Sequence, residues 1–343
     1  MDLNAAIRAV VERRDLAESE MEAVMRAIMT GQATPAQIGG FLVGLRMKGE
    51  TVAEIAAAAR VMRSLAAHVP ATPDHLVDTC GTGGDGAGAF NISTAAAFVA
   101  AAAGARVAKH GNRSVSSKSG SADVLEAAGV NLELTPAQVG RCIEEVGVGF
   151  LFAPKHHAAM KHAIGPRREM GVRTIFNVLG PLTNPAGANI QLTGVFDARL
   201  TEPLAHVLNE LGSKAALVIH GANGLDELNT TGVNRVSHLK GGAVETYELH
   251  PSDLGLSQST VQDLRGGTPD ESALMMRDLL SCKLNGARRE TVLLNAAAAL
   301  AAETGDFKSA LAEAIASLDN GNALNKLNAL VDFSQSFIQP SIE

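Results

Sequence analysis

Across residues 1–70 the apolar positions recur at helical spacing, and the segment reads as helices alone. Ile38, Phe41, Leu42 and Leu45 fall on one helix face. Thr34-Pro35 offers an N-cap followed by a first-turn proline, with Gln37 at the third position. Ser19…Glu22 and Thr51…Glu54 have capping-box spacing. Pro70 and Pro73 end this part. From Leu76 the pattern changes to short apolar runs alternating with helical stretches. Residues 76–79, 106–109, 149–152, 190–195 and 215–220 read as strands, with a further possible strand at 174–176. Helices are expected after Asn91, over 122–128 and over 200–211. Such alternation predicts an α/β fold with a mostly parallel central sheet and helices on both faces. Residues 236–248 read as a hairpin turning at Gly241-Gly242. From Pro269 the pattern is again helical. The expected organisation is a small all-helical N-terminal domain, 1–70, and a large α/β domain, 71–343, without internal repeats or low-complexity linkers.

Composition narrows the class. Of 343 residues, 46% are apolar and 19% charged, which suits a folded soluble protein. Apolar runs such as residues 95–103 fall well short of the roughly 20 residues of a membrane span. The N-terminal residues contain acids and lack a long apolar stretch, so they do not read as a signal peptide. The 3 cysteines have no paired spacing, as expected of a reducing, cytoplasmic setting. With no Trp, 1 Tyr and a net charge of -7, base stacking is poorly supplied and nucleic acid is not an expected partner. Against that acidic balance, no Asp or Glu occurs between Asp85 and Asp123, while Arg106, Lys109, Arg113 and Lys118 do. Clearing carboxylates from a Gly-, Ser- and Asn-rich segment predicts a polyanion site built from backbone amides, helix N-termini and fixed cations.

Two loops make up that segment. The first, from Asp78 through Gly81, Gly84 and Asp85, follows a strand and leads to Asn91-Ile92-Ser93-Thr94 at a helix start. Gly81, Gly83 and Gly86 satisfy the dinucleotide spacing, but the acid required about 20 residues later is missing, so that reading fails. The second loop, Lys109-His110-Gly111-Asn112-Arg113-Ser114-Val115-Ser116-Ser117 and on to Ser121, also follows a strand. Both would lie at strand carboxyl ends, where open α/β sheets bind ligands. Residues 155–173 form a second basic stretch, with His157, Arg167, Arg168 and Arg173 but no metal-binding histidine spacing. Residues 177–185 read only as a rigid loop. Asp226-Glu227 follow another strand end, and adjacent carboxylates beside a phosphate site suit Mg²⁺.

Taken together, residues 81–85, 91–94, 109–126, 173–185 and 225–227 resemble the anthranilate phosphoribosyltransferase family of tryptophan biosynthesis, along essentially the whole chain. The resemblance implies transfer of the phosphoribosyl group of phosphoribosyl pyrophosphate to the amino group of anthranilate, with Mg²⁺. It also implies the nucleoside phosphorylase/phosphoribosyltransferase-like fold, with part of 165–185 joining the helical domain, and a homodimer formed through that domain. By motif, Gly81, Gly84, Asp85, position 89, Asn91 to Thr94, Lys109 to Ser117 and Ser121 would hold phosphoribosyl pyrophosphate. Ser93, Asp226 and Glu227 would hold Mg²⁺. Gly81, Asn112, His157, Arg167 and Pro181 would receive anthranilate, with His110 beside its path. His110, His157 and Arg167 are the candidates for catalysis. Where the family usually has Thr, this chain has Ala89; a lost hydroxyl contact would cost about 1 kcal/mol unless replaced. Two alternatives remain: a pyrimidine nucleoside phosphorylase-like enzyme, which residues 109–112 do not match, and a non-enzymatic nucleic-acid-binding relative, which the acidic balance disfavours.

Overall fold

The computed structural model describes residues 2–72, 74–114 and 118–338. Val115, Ser116 and Ser117, assigned above to phosphoribosyl pyrophosphate, lie outside the described residues, as does Pro73. Four helices come first: α1 (Leu3–Val11), α2 (Glu18–Met29), α3 (Pro35–Lys48) and α4 (Val52–Leu65). The caps at Thr34 and Thr51 form as their sequences predict, with Gln37 and Glu54 returning a hydrogen bond to each N-cap amide. The box expected at Ser19 does not form. The helix starts at Glu18, because Glu20 reaches back to the Ala17 amide (3.0 Å). Buried Leu16, whose amide donates to Glu54, fixes where the chain enters.

Among the described residues, seven strands form one sheet in the order β3-β2-β1-β4-β5-β6-β7. They are β1 (Leu76–Asp78), β2 (Arg106–Gly111), β3 (Val148–Phe152), β4 (Ile190–Gly194), β5 (Ala215–His220), β6 (Asn234–Lys240) and β7 (Ala243–Leu249). The first five are mutually parallel, and β6 and β7 add an antiparallel hairpin. Gly241 and Gly242, both at positive φ, make its two-residue turn. No strand forms at 174–176. The Thr174 amide instead bonds the Asn177 side chain (2.9 Å), which starts the short helix Phe176–Leu179, and Ile175 and Phe176 are buried.

Alternation along β5 divides the core. Ala216 and Val218 face a cluster shared with α1–α4, the helix Thr201–Glu210 and residues 175–182, while Leu217 and Ile219 face the opposite cluster. Arg63 of α4 ties the first cluster together by donating to the Leu182 and Leu211 carbonyls at 2.7 and 3.3 Å. In the opposite layer, α5 (Ile92–Ala102) is buried nearly all round, and its small side chains let the helix Ala287–Ala301 pack closely on it. The parallel strands β1, β2, β4 and β5 end at one edge, where α5 begins and α6 (Ser121–Ala127) follows the second loop.

Candidate functional site

Strand β2 delivers Lys109 and His110, both buried, to this edge. Lys109 Nζ donates to the Thr79 carbonyl (3.0 Å), Thr79 Oγ1 (3.2 Å) and Ser93 Oγ (3.2 Å). The ammonium is therefore held at the N-terminus of α5 rather than left to swing in solvent. Glu227 comes from the loop after β5 and accepts the Ser93 amide in the first turn of α5 (3.1 Å). Asp226 accepts the Gly83 amide at 2.6 Å. Ser93, Asp226 and Glu227, the three residues assigned to Mg²⁺, are thus neighbours, although Ser93 is far from the other two in sequence.

Close backbone approach makes that convergence possible. A Cβ on Gly81 would lie 2.9 Å from Asp226 Oδ2 and 3.2 Å from the Gly194 carbonyl. A Cβ on Gly194 would collide with the Asp226 backbone. The loop is pinned from the other side by the Thr82 amide on Gly194 O (2.8 Å) and by the Phe196 amide on Thr82 Oγ1 (3.2 Å). Burial, with the Asp85 carboxylate facing it, pushes the Asp226 carboxyl upward, and burial beside Asp226 does the same to Glu227. Crowded, desolvated oxygen donors of this kind fit a hard divalent cation, which would offset their repulsion.

Beside this centre lies a neutral wall. His110 Nδ1 faces the Gly180 carbonyl at 3.1 Å, and the His110 and His157 ring centroids are 5.1 Å apart. Burial, reinforced by the neighbouring histidine, lowers His110 to about 3 and His157 to about 4. Both rings are uncharged at neutral pH. Their buried Nε2 atoms lack a partner among the described residues. The basic stretch is therefore no uniform charged face: His156 and His157 are buried, and the guanidinium of Arg167 stacks over Phe176 at 5.0 Å. Arg173 donates to the Gly84 carbonyl and lies 4.0 Å over Phe196.

Sequence reading did not single out two residues that organise the site. Buried Asp78 accepts the His110 amide (3.0 Å) on one oxygen and Asn184 Nδ2 (2.7 Å) on the other. Asn184 also donates to the Ala108 carbonyl (2.8 Å), which locks the loop carrying Gly180 and Pro181 against β1 and β2. Burial raises Asp78 to about 6. Asp78, Cys80 and His110 bring ligand atoms within 4.8 Å of one another, but both Asp78 oxygens are already taken, which suits a positioning role. The only local signal was an Asp at a strand end and an Asn before proline. Arg113, expected to hold phosphoribosyl pyrophosphate, pairs with Asp123 (3.0 Å) and Glu126 (2.7 Å) and stacks on Phe152. Asn91 bonds the Ser119 carbonyl (3.2 Å), linking the two loops.

Comparisons with known proteins bear on the family and the fold. Residues 73–324 match the model of the glycosyl transferase family a/b domain, and residues 4–66 match that of its helical bundle domain. Anthranilate phosphoribosyltransferase of Thioalkalivibrio sulfidiphilus is 60% identical over 338 residues, 98% of this chain and 100% of that protein. The enzyme of Alkalilimnicola ehrlichii is 57% identical over 96% of this chain and 98% of its own length. The crystal structure of the Thermus thermophilus enzyme superposes with a TM-score of 0.92 at 45% identity, covering 96% of this chain and 99% of that one. The Saccharomyces cerevisiae enzyme in complex with phosphoribosyl pyrophosphate and Mg gives 0.89 at 28% identity, covering 98% of each chain. With similarity of this depth over both layers of the molecule, the chain belongs to the anthranilate phosphoribosyltransferase family.

Proposed function

We propose that this chain transfers the phosphoribosyl group of phosphoribosyl pyrophosphate to the amino group of anthranilate, releasing pyrophosphate, as a step of tryptophan biosynthesis. The observation carrying this reading is the meeting of Lys109, Ser93 and Glu227 at the N-terminus of α5: a buried cation beside desolvated carboxylates. Ser93, Asp226 and Glu227 would hold Mg²⁺, which when bound supplies positive charge to the leaving pyrophosphate. Lys109 adds a fixed charge to the same group, so charge develops in a preorganised field. Anthranilate would sit against Gly81, Asn112, His157, Arg167 and Pro181, with His110 alongside. Arg167, stiffened on Phe176, would pair with its carboxylate. The attacking arylamine is neutral at pH 7, so attack needs positioning more than a strong base. The two neutral histidines stand ready to accept the proton that attack releases.

Exposed apolar Val11, Val43 and Met47 on α1 and α3 support a homodimer through the helical domain. No helix among the described residues is long and apolar enough to cross a membrane, and a cytoplasmic location fits the biosynthetic role. The test follows anthranilate fluorescence on mixing with phosphoribosyl pyrophosphate and Mg²⁺, with EDTA as control. Metal-dependent loss is expected. Retained fluorescence at high substrate would overturn the reading. Arg167→Ala should raise KM for anthranilate at least tenfold, about the worth of one charge-assisted contact; an unchanged KM would remove Arg167 from that role.

A further inference from the structure

A cavity of about 240 Å³ opens beside the first loop, lined in part by Gly88, Ala89, Lys118, Arg265, Gly267 and Ser272. It contains position 89, where this chain lacks the hydroxyl of the family pattern, and it brings up Arg265 from a distant part of the sequence. The Phe90 amide donates to the Leu264 carbonyl (2.9 Å), and the Gly266 amide donates to the Gly88 carbonyl (3.0 Å). These bonds flank an antiparallel bridge between Ala89 and Arg265. In such a narrow pair the two Cα atoms are about 4.5 Å apart, and the side chains leave on the same face. Arg265 therefore rises directly beside the Ala89 methyl, where a larger side chain would compete for room.

The charged side chains that line this cavity, Lys118 and Arg265, are both cations. Neither Lys118 nor the Arg265 guanidinium makes an ion pair with a described residue. Two acids border it, and both are engaged: Glu271, which acts on Lys118 through its field, caps the Thr268 amide (2.8 Å), and Asp85 accepts the Ala87 amide (3.1 Å). No carboxylate lines the cavity. On the proposed reading the pyrophosphate end of the substrate belongs to Lys109 and the carboxylate pair at the N-terminus of α5. What remains for the rim at Ala89 is the phosphate at the other end of the ribose.

We infer that this cavity is a phosphate subsite in which Arg265, assisted by Lys118, takes over the contact a hydroxyl at position 89 would make. The shared chemistry is a phosphate dianion: the 5-phosphate of phosphoribosyl pyrophosphate, or free inorganic phosphate competing for the same place. The inference rests on the transferase reading, and wild-type turnover tests that reading separately. The experiment is steady-state kinetics of full-length Arg265→Ala and Lys118→Ala, with Lys308→Ala as a charge control on another helix. Arg265→Ala should raise KM for phosphoribosyl pyrophosphate about fivefold, the scale of one partly exposed cation–anion contact, and leave KM for anthranilate in place. Ala89→Thr should lower that KM more in the Arg265→Ala background than in the wild type, because the two groups share one role. An unchanged KM with weakened inhibition by inorganic phosphate would assign the subsite to the free anion. If neither KM nor phosphate inhibition differs from the Lys308→Ala control, and the melting temperature shows the protein folded, the inference is overturned.

Discussion

Lys109→Met tests the centre of the mechanism. The replacement keeps an unbranched apolar stem, one atom shorter, and removes the charge and its donors. In the structure Nζ serves the Thr79 carbonyl, Thr79 Oγ1 and Ser93 Oγ at 3.0, 3.2 and 3.2 Å. Losing these contacts at about 1 kcal/mol each, less the relieved cost of burying an ammonium, leaves a net destabilisation of about 1–2 kcal/mol. Thr79 Oγ1 keeps its bond to the Ser93 carbonyl, so the loop need not collapse. The catalytic loss is larger. Removing one preorganised group from a buried site costs about 10²–10³ in kcat, or about 2.7–4 kcal/mol of transition-state stabilisation. The assay is anthranilate fluorescence at saturating Mg²⁺ and both substrates, with circular dichroism and urea unfolding to confirm the fold. Turnover within about threefold of wild type in a folded variant would refute the assignment of Lys109 to the leaving group.

Gly81→Ala should raise the Mg²⁺ concentration needed for half activity about tenfold, since its Cβ would press on Asp226 Oδ2 from 2.9 Å; an unchanged Mg²⁺ titration counts against the metal assignment. Glu54→Ala removes the buried acceptor of the Leu16 and Thr51 amides and of Lys48, and should cost about 3 kcal/mol in urea unfolding with KM values unaltered, because Lys48 keeps only exposed Asp15 and the Gly49 carbonyl. Acid should act through the site histidines. His157 is held near 4 against 6.5, so the unfolded chain takes up a proton that the folded one refuses, and stability falls as pH drops below 6.5. Asp78, raised to about 6, works in the opposite direction as it protonates. The readout is therefore a difference: unfolding free energy should fall more steeply with acid in the wild type than in His157→Phe, by up to about 1.4 kcal/mol per pH unit, and parallel curves would contradict this.

Sequence alone determined what depends on near neighbours. Helix starts at Thr34 and Thr51 were legible because a cap and its partner lie three residues apart. The strand runs, the Gly241-Gly242 turn and the carboxylate-free segment were legible because period, turn chemistry and local charge are properties of the chain itself. The Ser19 box failed because Leu16, buried against distant α4, decides where that helix begins. The run at 174–176 was misread as a strand because apolar residues of that length do not distinguish a strand from a buried turn, and Asn177 settled the matter through one hydrogen bond. Only the tertiary structure could put Glu227 on the Ser93 amide, tie Asp78 to Asn184, turn Arg113 towards Glu126 and set Arg265 beside Ala89. Each of these joins residues far apart in the chain. Their closeness comes from parallel strands ending at a common edge, where the order of the sheet, not the order of the sequence, sets the neighbours.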